Sequence, residues 1–575
     1  MSSKAVRFDV FELRPDSNEL FKGGSKIKLK PQAARVLGIL AERAGEAVPR
    51  EEIKNALWSG DTFVDFDQSL NSCITQLRSA LGDDPGAPRF IETVPRHGYR
   101  FVGRLESKPR PRASFPSFAI GAAVAVAAAA LLWGLLPSER QMLLVRPFEN
   151  LSGDASQDFL AEGLTEELIT RAASLAPDSL GVYARTTALR FGEEELDYDY
   201  VLEGSFRREG EELRVTARLA DADGRSIWTE TYDRSRDAVL EVQSDVAAQI
   251  ARALVRTSTP APPEYLGSTQ SMEAHEFYLE GRHHLADMTL PALRRAAEAF
   301  ERAVSLDPGY ARAWAGLADA YNLQSWWGGL TPEESARRGR EAAEKALALS
   351  PQLAEAQDAL GFVHFYYDYD FAGAETRFRK AIELSPGLAM THYWYAGLLS
   401  ATGRHEEAIA RIRAAQELDP LSPLINADAG WYYFYARRYR EAIRECRRIL
   451  AVDPEYAWAH QCVLAAARES GDEEGERTSR NELVRLLGAP ESADWPRWYL
   501  ERLESEAKEL YVSPTSVALL KLHLGDRGGA LDALERAYEE KDGFLVNLAV
   551  DPRLRPLSDD PRFRTLLGKL GLEAG

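Results

Sequence analysis

One predicted helix carries amide, hydroxyl and guanidinium side chains along a single face. The stretch from Asp67 to Leu81 has apolar residues at helical spacing and ends before Gly82. We expect its apolar face to pack inward, and that face consists of Leu70, Ile74, Leu77 and Leu81. The polar groups opposite are those that hydrogen-bond to base edges in the major groove of DNA. We therefore predict base contacts from Asn71, Ser72, Thr75, Gln76 and Arg78.

Cationic side chains cluster at a predicted β-hairpin that follows this helix. Its two strands, 90–94 and 99–102, flank the turn Pro95-Arg96-His97-Gly98. Residues 85–104 hold four arginines and one acidic residue, so this segment has a net charge of +3. Cations beside a base-reading helix contact phosphates or enter the minor groove. We expect such contacts from Arg96, His97 and Arg100.

The other residues that could do chemistry lack the spacing of a catalytic or metal site. Gly204-Ser205 is not part of a G-x-S-x-G motif, and His275-Glu276 lacks the second histidine of H-E-x-x-H. The acidic run at 193–199 is interpreted as a solvated loop. The sequence therefore predicts no enzyme activity, no cofactor and no metal ion.

Residues 1–105 are predicted to form the domain that positions these side chains. Two short strands, 6–10 and 27–29, precede a helix that opens at Pro31. A second short helix covers 49–57, and the polar-faced helix and the hairpin complete the region. The order is three helices followed by a hairpin, which is typical of a winged helix-turn-helix of the α+β class.

Two motifs in this region resemble a known family. The stretch IETVPRHGYRFVG resembles the wing of the OmpR/PhoB-type DNA-binding domain, and SLNSCITQLRSALGDD resembles its recognition helix. The resemblance covers about residues 5–104. It implies double-stranded DNA as the partner, with the helix in the major groove and the wing beside it. Because the module begins near residue 5, we expect no receiver domain and no control by aspartyl phosphate.

An uncharged apolar run interrupts the chain after this domain. Phe118 to Leu136 is a stretch of nineteen apolar or glycine residues, close to the length that spans a bilayer. We predict a transmembrane helix at 117–137 after a basic juxtamembrane linker at 106–116. Five Lys and Arg precede the run within twenty residues and two follow it, which predicts a cytoplasmic N-terminus and a C-terminal part outside the inner membrane of a bacterium. The arrangement resembles membrane-spanning regulators of the CadC/ToxR type.

Charge divides the 575-residue chain at the same place. The net charge of −19 alone argues against DNA binding, but residues 1–116 hold 19 basic and 15 acidic residues, a net charge of +4. The remainder has a net charge of −23. Such asymmetry indicates separate functional units. The three cysteines exclude a disulfide-stapled scaffold.

Residues 141–256 are predicted to form a small α/β domain. Its strands alternate apolar and polar residues and are expected to break at Gly204, at Glu209-Gly210 and at Asp223-Gly224. The motifs PFENLSGD, GLTEELI and YVLEGSFRREG resemble the TolB-like (FlgO-like) domain. The resemblance implies a non-enzymatic module placed between an effector domain and helical repeats.

A repeat of about 34 residues follows a Pro-rich linker at 257–272. Prolines at 308, 351, 386, 420 and 454 are separated by 43, 35, 34 and 34 residues, which is typical of tetratricopeptide repeats. We predict an all-α solenoid at 273–487, and degenerate repeats with a cap at 488–575. Such arrays bind protein or peptide partners on a concave face. We expect most of the dense aromatic residues to lie in the core and the rest to line a groove.

The two cysteines of adjacent repeats, Cys446 and Cys462, lie on helices expected to pack together. Buried free thiols are the default expectation, and a disulfide is left open.

The sequence therefore predicts a multidomain, membrane-anchored, one-component transcriptional regulator. Its cytoplasmic winged helix binds DNA, and its external α/β domain and repeats sense a ligand or a protein. A homodimer is compatible with this prediction. Two alternatives stay open: an envelope assembly scaffold that uses the repeats without binding DNA, and a soluble cytoplasmic regulator in which the alanine-rich helix is buried.

Overall fold

The computed structural model of the protein forms two compact units, Met1–Gly134 and Leu135–Gly575. The structure describes residues 6–14, 19–22, 25–27, 29–57, 66–84, 88–94, 97–103, 140–154, 157–175, 180–190, 196–210, 212–235, 239–254, 266–490 and 494–573. No helix within these ranges is long and apolar enough to cross a membrane. The span predicted at 117–137 and the linker at 106–116 lie outside them.

The first unit begins with an antiparallel sheet of four strands in sequential order. These are β1 (Val6–Phe8), β2 (Phe11–Arg14), β3 (Glu19–Lys22) and β4 (Ser25–Ile27). The sequence predicted only two strands here, because strands this short give little periodicity of their own. Phe8 and Phe11 of this sheet pack against Phe90 and Phe101, with ring centroids 4.9–5.6 Å apart, so the sheet and the hairpin share one core.

Three helices and a second sheet complete this unit. Helix α1 (Pro31–Glu42) has proline in its first turn, where a missing N–H costs nothing. Strand β5 (Ala47–Pro49), α2 (Arg50–Leu57), α3 (Phe66–Leu81), β6 (Ile91–Val94) and β7 (Gly98–Phe101) follow. The hairpin strand β7 lies between β6 and β5. A Cβ at Gly98 would stand 2.0 Å from the Val48 carbonyl oxygen, so only glycine fits that position.

A mixed sheet forms the centre of the first domain in the second unit. Its main path runs β10 (Leu180–Val182), β8 (Gln141–Val145), β11 (Tyr200–Glu209), β12 (Glu212–Asp221) and β13 (Ser226–Ser235), and β9 (Glu149–Asn150) also pairs with β11. Helices α4 (Asp158–Leu175), α5 (Arg185–Arg190) and α6 (Val239–Leu254) accompany it.

The strand break predicted at Gly204 is wrong, because β11 continues through that residue. A Cβ there would stand 2.2 Å from the Thr216 carbonyl oxygen and 2.3 Å from the Phe148 ring. The glycine therefore makes room for close packing within the strand, and it does not mark a turn.

Helix pairs make up the rest of the second unit and form a tetratricopeptide-like array. Six pairs run in order from α7 to α18: Met272–Leu285 with Leu290–Leu306, Ala311–Gln324 with Pro332–Leu349, Ala354–Tyr366 with Phe371–Leu384, Ala389–Ala401 with His405–Leu418, Pro423–Tyr435 with Tyr439–Val452, and Ala457–Ser470 with Glu473–Leu486. Helices α19 to α22 follow at Trp495–Glu506, Pro514–His523, Arg527–Glu539 and Pro561–Lys569. Two 3-10 segments, Gly543–Asn547 and Pro552–Leu557, precede α22.

Residues 325–331 form an insertion between the two helices of the second pair, and this insertion meets the C-terminal 3-10 segment Gly543–Asn547 among the aromatic residues of the array. Trp326 of the insertion lies 4.9 Å from the Tyr366 ring, 5.6 Å from Trp394 and 5.6 Å from Phe544. These four residues form what we call the inner aromatic cluster. The groove expected from the sequence is not seen at the three aromatic runs, 365–367, 393–395 and 431–435, because all eleven of their residues are buried.

Polar contacts join the α/β domain to the repeats at two separate places, one buried and one half-buried. Thr187 donates from its backbone N and its Oγ1 to Asp419 Oδ1, at 3.0 and 2.6 Å. Leu421 N donates to Thr187 Oγ1 at 3.0 Å. At the first repeat, His283 Nδ1 lies 2.6 Å from Glu162 Oε2, and this contact lowers the pKa of Glu162 and raises that of His283. The domain therefore bridges repeats that are not neighbours in the array.

We predict that Asp419→Ala destabilises the full-length protein by about 1–3 kcal/mol, because it leaves the buried Thr187 donors without their acceptor. The measurement is the free energy of unfolding of the second unit. Asp453→Ala is the matched control, because Asp453 follows the second helix of the next pair as Asp419 follows that of the fourth pair. Its side chain accepts from the backbone N of Glu455, at 3.1 Å, and from no residue of the α/β domain that the structure describes. Equal losses for the two variants would contradict this role of Asp419.

Candidate nucleic-acid interface

The outward face of α3 presents part of the polar set predicted from the sequence. Asn71 and Thr75 are exposed and Gln76 is half-exposed, whereas Leu70, Ile74, Leu77 and Leu81 are buried as predicted. Thr75 Oγ1 donates to the Asn71 carbonyl oxygen at 2.9 Å. Ser72 lies in α3, but its side chain is outside those that the structure describes.

A buried tyrosine of the hairpin holds Asn71 in position. Tyr99, which is 3% exposed, donates its hydroxyl to Asn71 Oδ1 at 2.9 Å. Arg50 at the start of α2 donates to the same hydroxyl at 3.1 Å, and its guanidinium stands 5.3 Å from the centre of the Tyr99 ring. Because Oδ1 accepts from the tyrosine, the amide NH₂ of Asn71 is left as the group that can donate to a base edge.

Sequence reasoning missed both Arg50 and Tyr99. The available signal was a tyrosine at an inward position of the second wing strand, since a buried tyrosine hydroxyl needs a partner. Its partners come from two other elements, so the three-residue contact depends on the tertiary fold.

Arg78 connects the recognition helix to the hairpin. Its Nη2 donates to the Ile91 carbonyl oxygen at 3.0 Å and to Thr93 Oγ1 at 2.8 Å. The sequence predicted a base contact for this half-buried side chain. In the structure its guanidinium holds the helix to the hairpin, and the base contact stays a prediction.

A buried carboxylate fixes the start of the hairpin to the end of α3. Asp83, 8% exposed, accepts from the backbone amides of Arg89 at 2.6 Å and of Ile91 at 2.7 Å. Hydrogen bonds from peptide N–H groups to a carboxylate are stronger than neutral ones. The angle between the helix and the wing is therefore set by direct bonds.

The structure describes two of the three cationic residues predicted at the wing and places them differently. His97 is exposed at the hairpin turn. Arg100 Nη1 donates to Glu92 Oε2 at 3.1 Å, an exposed pair of the kind that contributes little to stability. Arg96 lies outside the described residues.

The described residues contain no group of three or more histidine, cysteine or acidic side chains suited to a metal ion. Cys73 of α3 is buried, and burial raises the pKa of its thiol. A buried thiol of raised pKa is poorly reactive.

Residues 24–101 match the family described as "Transcriptional regulatory protein, C terminal". They form an OmpR/PhoB-type winged-helix DNA-binding domain. The match includes α3, the hairpin, Arg50 and Asp83, which are the parts that hold the exposed face of α3 in place.

Three known proteins are similar to this chain over different lengths. Over 458 residues the chain is 25% identical to "Transcriptional regulator HilA" of Salmonella typhimurium, which covers 77% of this chain and 76% of HilA. It is 32% identical over 110 residues to "Cholera toxin transcriptional activator" of Vibrio cholerae, covering 19% of this chain and 37% of the relative. A Rhizobium meliloti protein named as adenylate cyclase 3 is 30% identical over 203 residues, covering 33% of this chain and 35% of the relative.

The chain is thus a transcriptional regulator with an OmpR/PhoB-type DNA-binding domain, related to HilA. The similarity to the protein named as a cyclase spans only about a third of either chain.

We predict that Tyr99→Phe lowers the affinity of the full-length protein for its specific DNA about fivefold, as expected when one hydrogen bond that orients Asn71 is lost. The salt dependence of binding should stay unchanged, because no cation is removed. The measurement is titration of DNA selected in vitro by the wild-type protein. Tyr538→Phe makes the same change in the other unit and should have no effect. Wild-type affinity for Tyr99→Phe would exclude this positioning role.

Proposed function

We propose that the protein is a membrane-anchored, one-component transcriptional regulator whose winged helix reads DNA in the cytoplasm. The observation that carries the proposal is the exposed face of α3, where Asn71 and Thr75 point outward and Tyr99 orients Asn71. Amide and hydroxyl groups on a helix fastened to a wing match direct readout in the major groove.

The anchor rests on the sequence around the boundary of the two units. Nineteen uncharged residues, 118–136, match the thickness of a bilayer. The excess of Lys and Arg before them supports a cytoplasmic N-terminus and a C-terminal part outside the inner membrane.

A disulfide in the repeats supports an external position for the second unit. Cys446 and Cys462 are joined, with their Cα atoms 6.6 Å apart, and both side chains are fully buried. Disulfides persist in oxidising compartments and are rare in the cytosol.

The sensing role is assigned to the α/β domain, which resembles the TolB-like (FlgO-like) family, and to the repeats. Repeat arrays bind proteins or peptides through an extended surface. At the inner aromatic cluster, the chain's own Phe544 already packs against Trp326. A protein partner would therefore bind another surface of the array or displace this segment.

We predict that Arg96→Ala reduces the slope of log K against log salt by about 0.9 in the full-length protein, as expected for one lost phosphate contact. Arg100→Ala should act in the same direction by a smaller amount, because Glu92 already pairs with Arg100. Arg225→Ala removes an exposed charge from the other unit and is the control.

Unchanged affinity and slope in both Arg78→Ala and Arg96→Ala would contradict the assigned interface. Absence of DNA binding altogether would favour the envelope scaffold.

We predict that a periplasmic reporter fused after Gly575 is active in cells, and that in protein denatured before labelling Cys446 and Cys462 resist thiol alkylation until a reductant is added. The Cys446→Ser/Cys462→Ser variant retains Cys73 alone and calibrates the labelling. A reporter active only in the cytoplasm, together with free thiols at both positions, would overturn the membrane topology while leaving DNA binding intact.

A further inference from the structure

Strand β13 forms a long, open edge of the mixed sheet. It has ten residues and pairs with β12 along its length. No other strand among the described residues lies on its outer side, and eight of its ten residues are exposed. The peptide groups of such an edge are a template for pairing with another strand.

The two faces of β13 are fixed by contacts within the domain. Tyr232 is buried and donates to Glu230 Oε2 at 3.1 Å, and Gln249 of α6 donates to the same oxygen at 3.0 Å. On the opposite face, Asp233 accepts from Arg214 at 2.5 Å. Even-numbered residues therefore share the helix side of the sheet, and Arg234 is placed there with Glu230.

Strand geometry restricts how two copies of this edge can pair. Successive side chains of a strand point to opposite faces of the sheet. In an antiparallel pair of identical strands, each even-numbered residue must therefore lie opposite an even-numbered residue of the other copy, and each odd-numbered residue opposite an odd-numbered one. Centring the pair on Glu230 places two carboxylates opposite each other, and centring it on Asp233 does the same. Centring it on Tyr232 places each Glu230 opposite the Arg234 of the second copy.

The register centred on Tyr232 is complementary on both faces. It forms two Glu230 to Arg234 cross-strand pairs related by a two-fold axis, and opposite charges across strands are stabilising. Both intramolecular bonds to Glu230 use Oε2, which leaves Oε1 to accept from arginine. On the other face Thr231 lies opposite Asp233, and a hydroxyl can donate to a carboxylate.

We propose that β13 is a homodimerisation edge, which pairs antiparallel with β13 of a second copy in the register centred on Tyr232. A single pair of strands is a weak interface by itself. Two chains anchored in one membrane meet at a high effective concentration, so a weak interface suffices. The consequence for DNA rests on the proposed function: the dimer would bring two winged helices to adjacent half-sites.

The test uses two full-length chains with different affinity tags, co-expressed, cross-linked in intact cells and then co-purified, so that the pairing is captured at its concentration in the cell. Glu230→Arg places arginine opposite arginine in its homodimer, and Arg234→Glu places glutamate opposite glutamate. Each variant alone should lose co-purification by about tenfold or more, since two attractive pairs become repulsive. Co-expression of Glu230→Arg with Arg234→Glu restores both pairs as mixed dimers and should recover the wild-type yield.

The control is Glu344→Arg, which reverses an exposed charge on α10 and should leave co-purification unchanged. Absence of wild-type dimers, or dimers that survive both single reversals, would overturn the proposal. Failure of the mixed pair, with both variants folded by circular dichroism, would exclude this register. No DNA is used, so this outcome is independent of whether the winged helix binds its target.

Discussion

The position of the wing relative to the recognition helix depends on one buried carboxylate. Asp83 follows the end of α3 and accepts the amides of Arg89 and Ile91, so the hairpin leaves the helix in a fixed direction. Arg78 adds a second connection to β6. Because the hairpin is held there, Tyr99 reaches back to Asn71, and the side-chain amide of Asn71 depends on the wing for its orientation.

The second unit is held together by a comparable use of buried polar groups. The α/β domain contacts the first repeat through Glu162 and the loop after the fourth helix pair through Thr187 and Asp419. A buried acceptor that loses its donors is costly, so these contacts oppose independent movement of the bridged repeats. His275 is also buried in this unit, beside Gln243 of α6. Burial lowers its pKa to about 4, so its imidazole is neutral near pH 7.

Periodicity and motifs predicted the elements of the winged helix and the helix pairs, because buried apolar residues recur at fixed spacing along α3 and through the repeats. They did not predict which polar residues hold one another. The base contact predicted for Arg78 stays a prediction, but its guanidinium also reaches Ile91 and Thr93, thirteen and fifteen residues further along the chain, and no pattern predicted those contacts. The Arg50, Tyr99 and Asn71 contact, and the packing of Phe544 on Trp326, join segments that no local pattern relates.

Genome-wide mapping of the DNA bound by the full-length protein in cells shows whether α3 reads DNA sequence. We expect discrete sites that share a sequence motif, and loss of that motif in Asn71→Ala while the protein remains folded and present at wild-type level. No enriched sites for the wild-type protein, or the same sites and the same motif for Asn71→Ala, would contradict the assignment of α3 as the element that reads DNA.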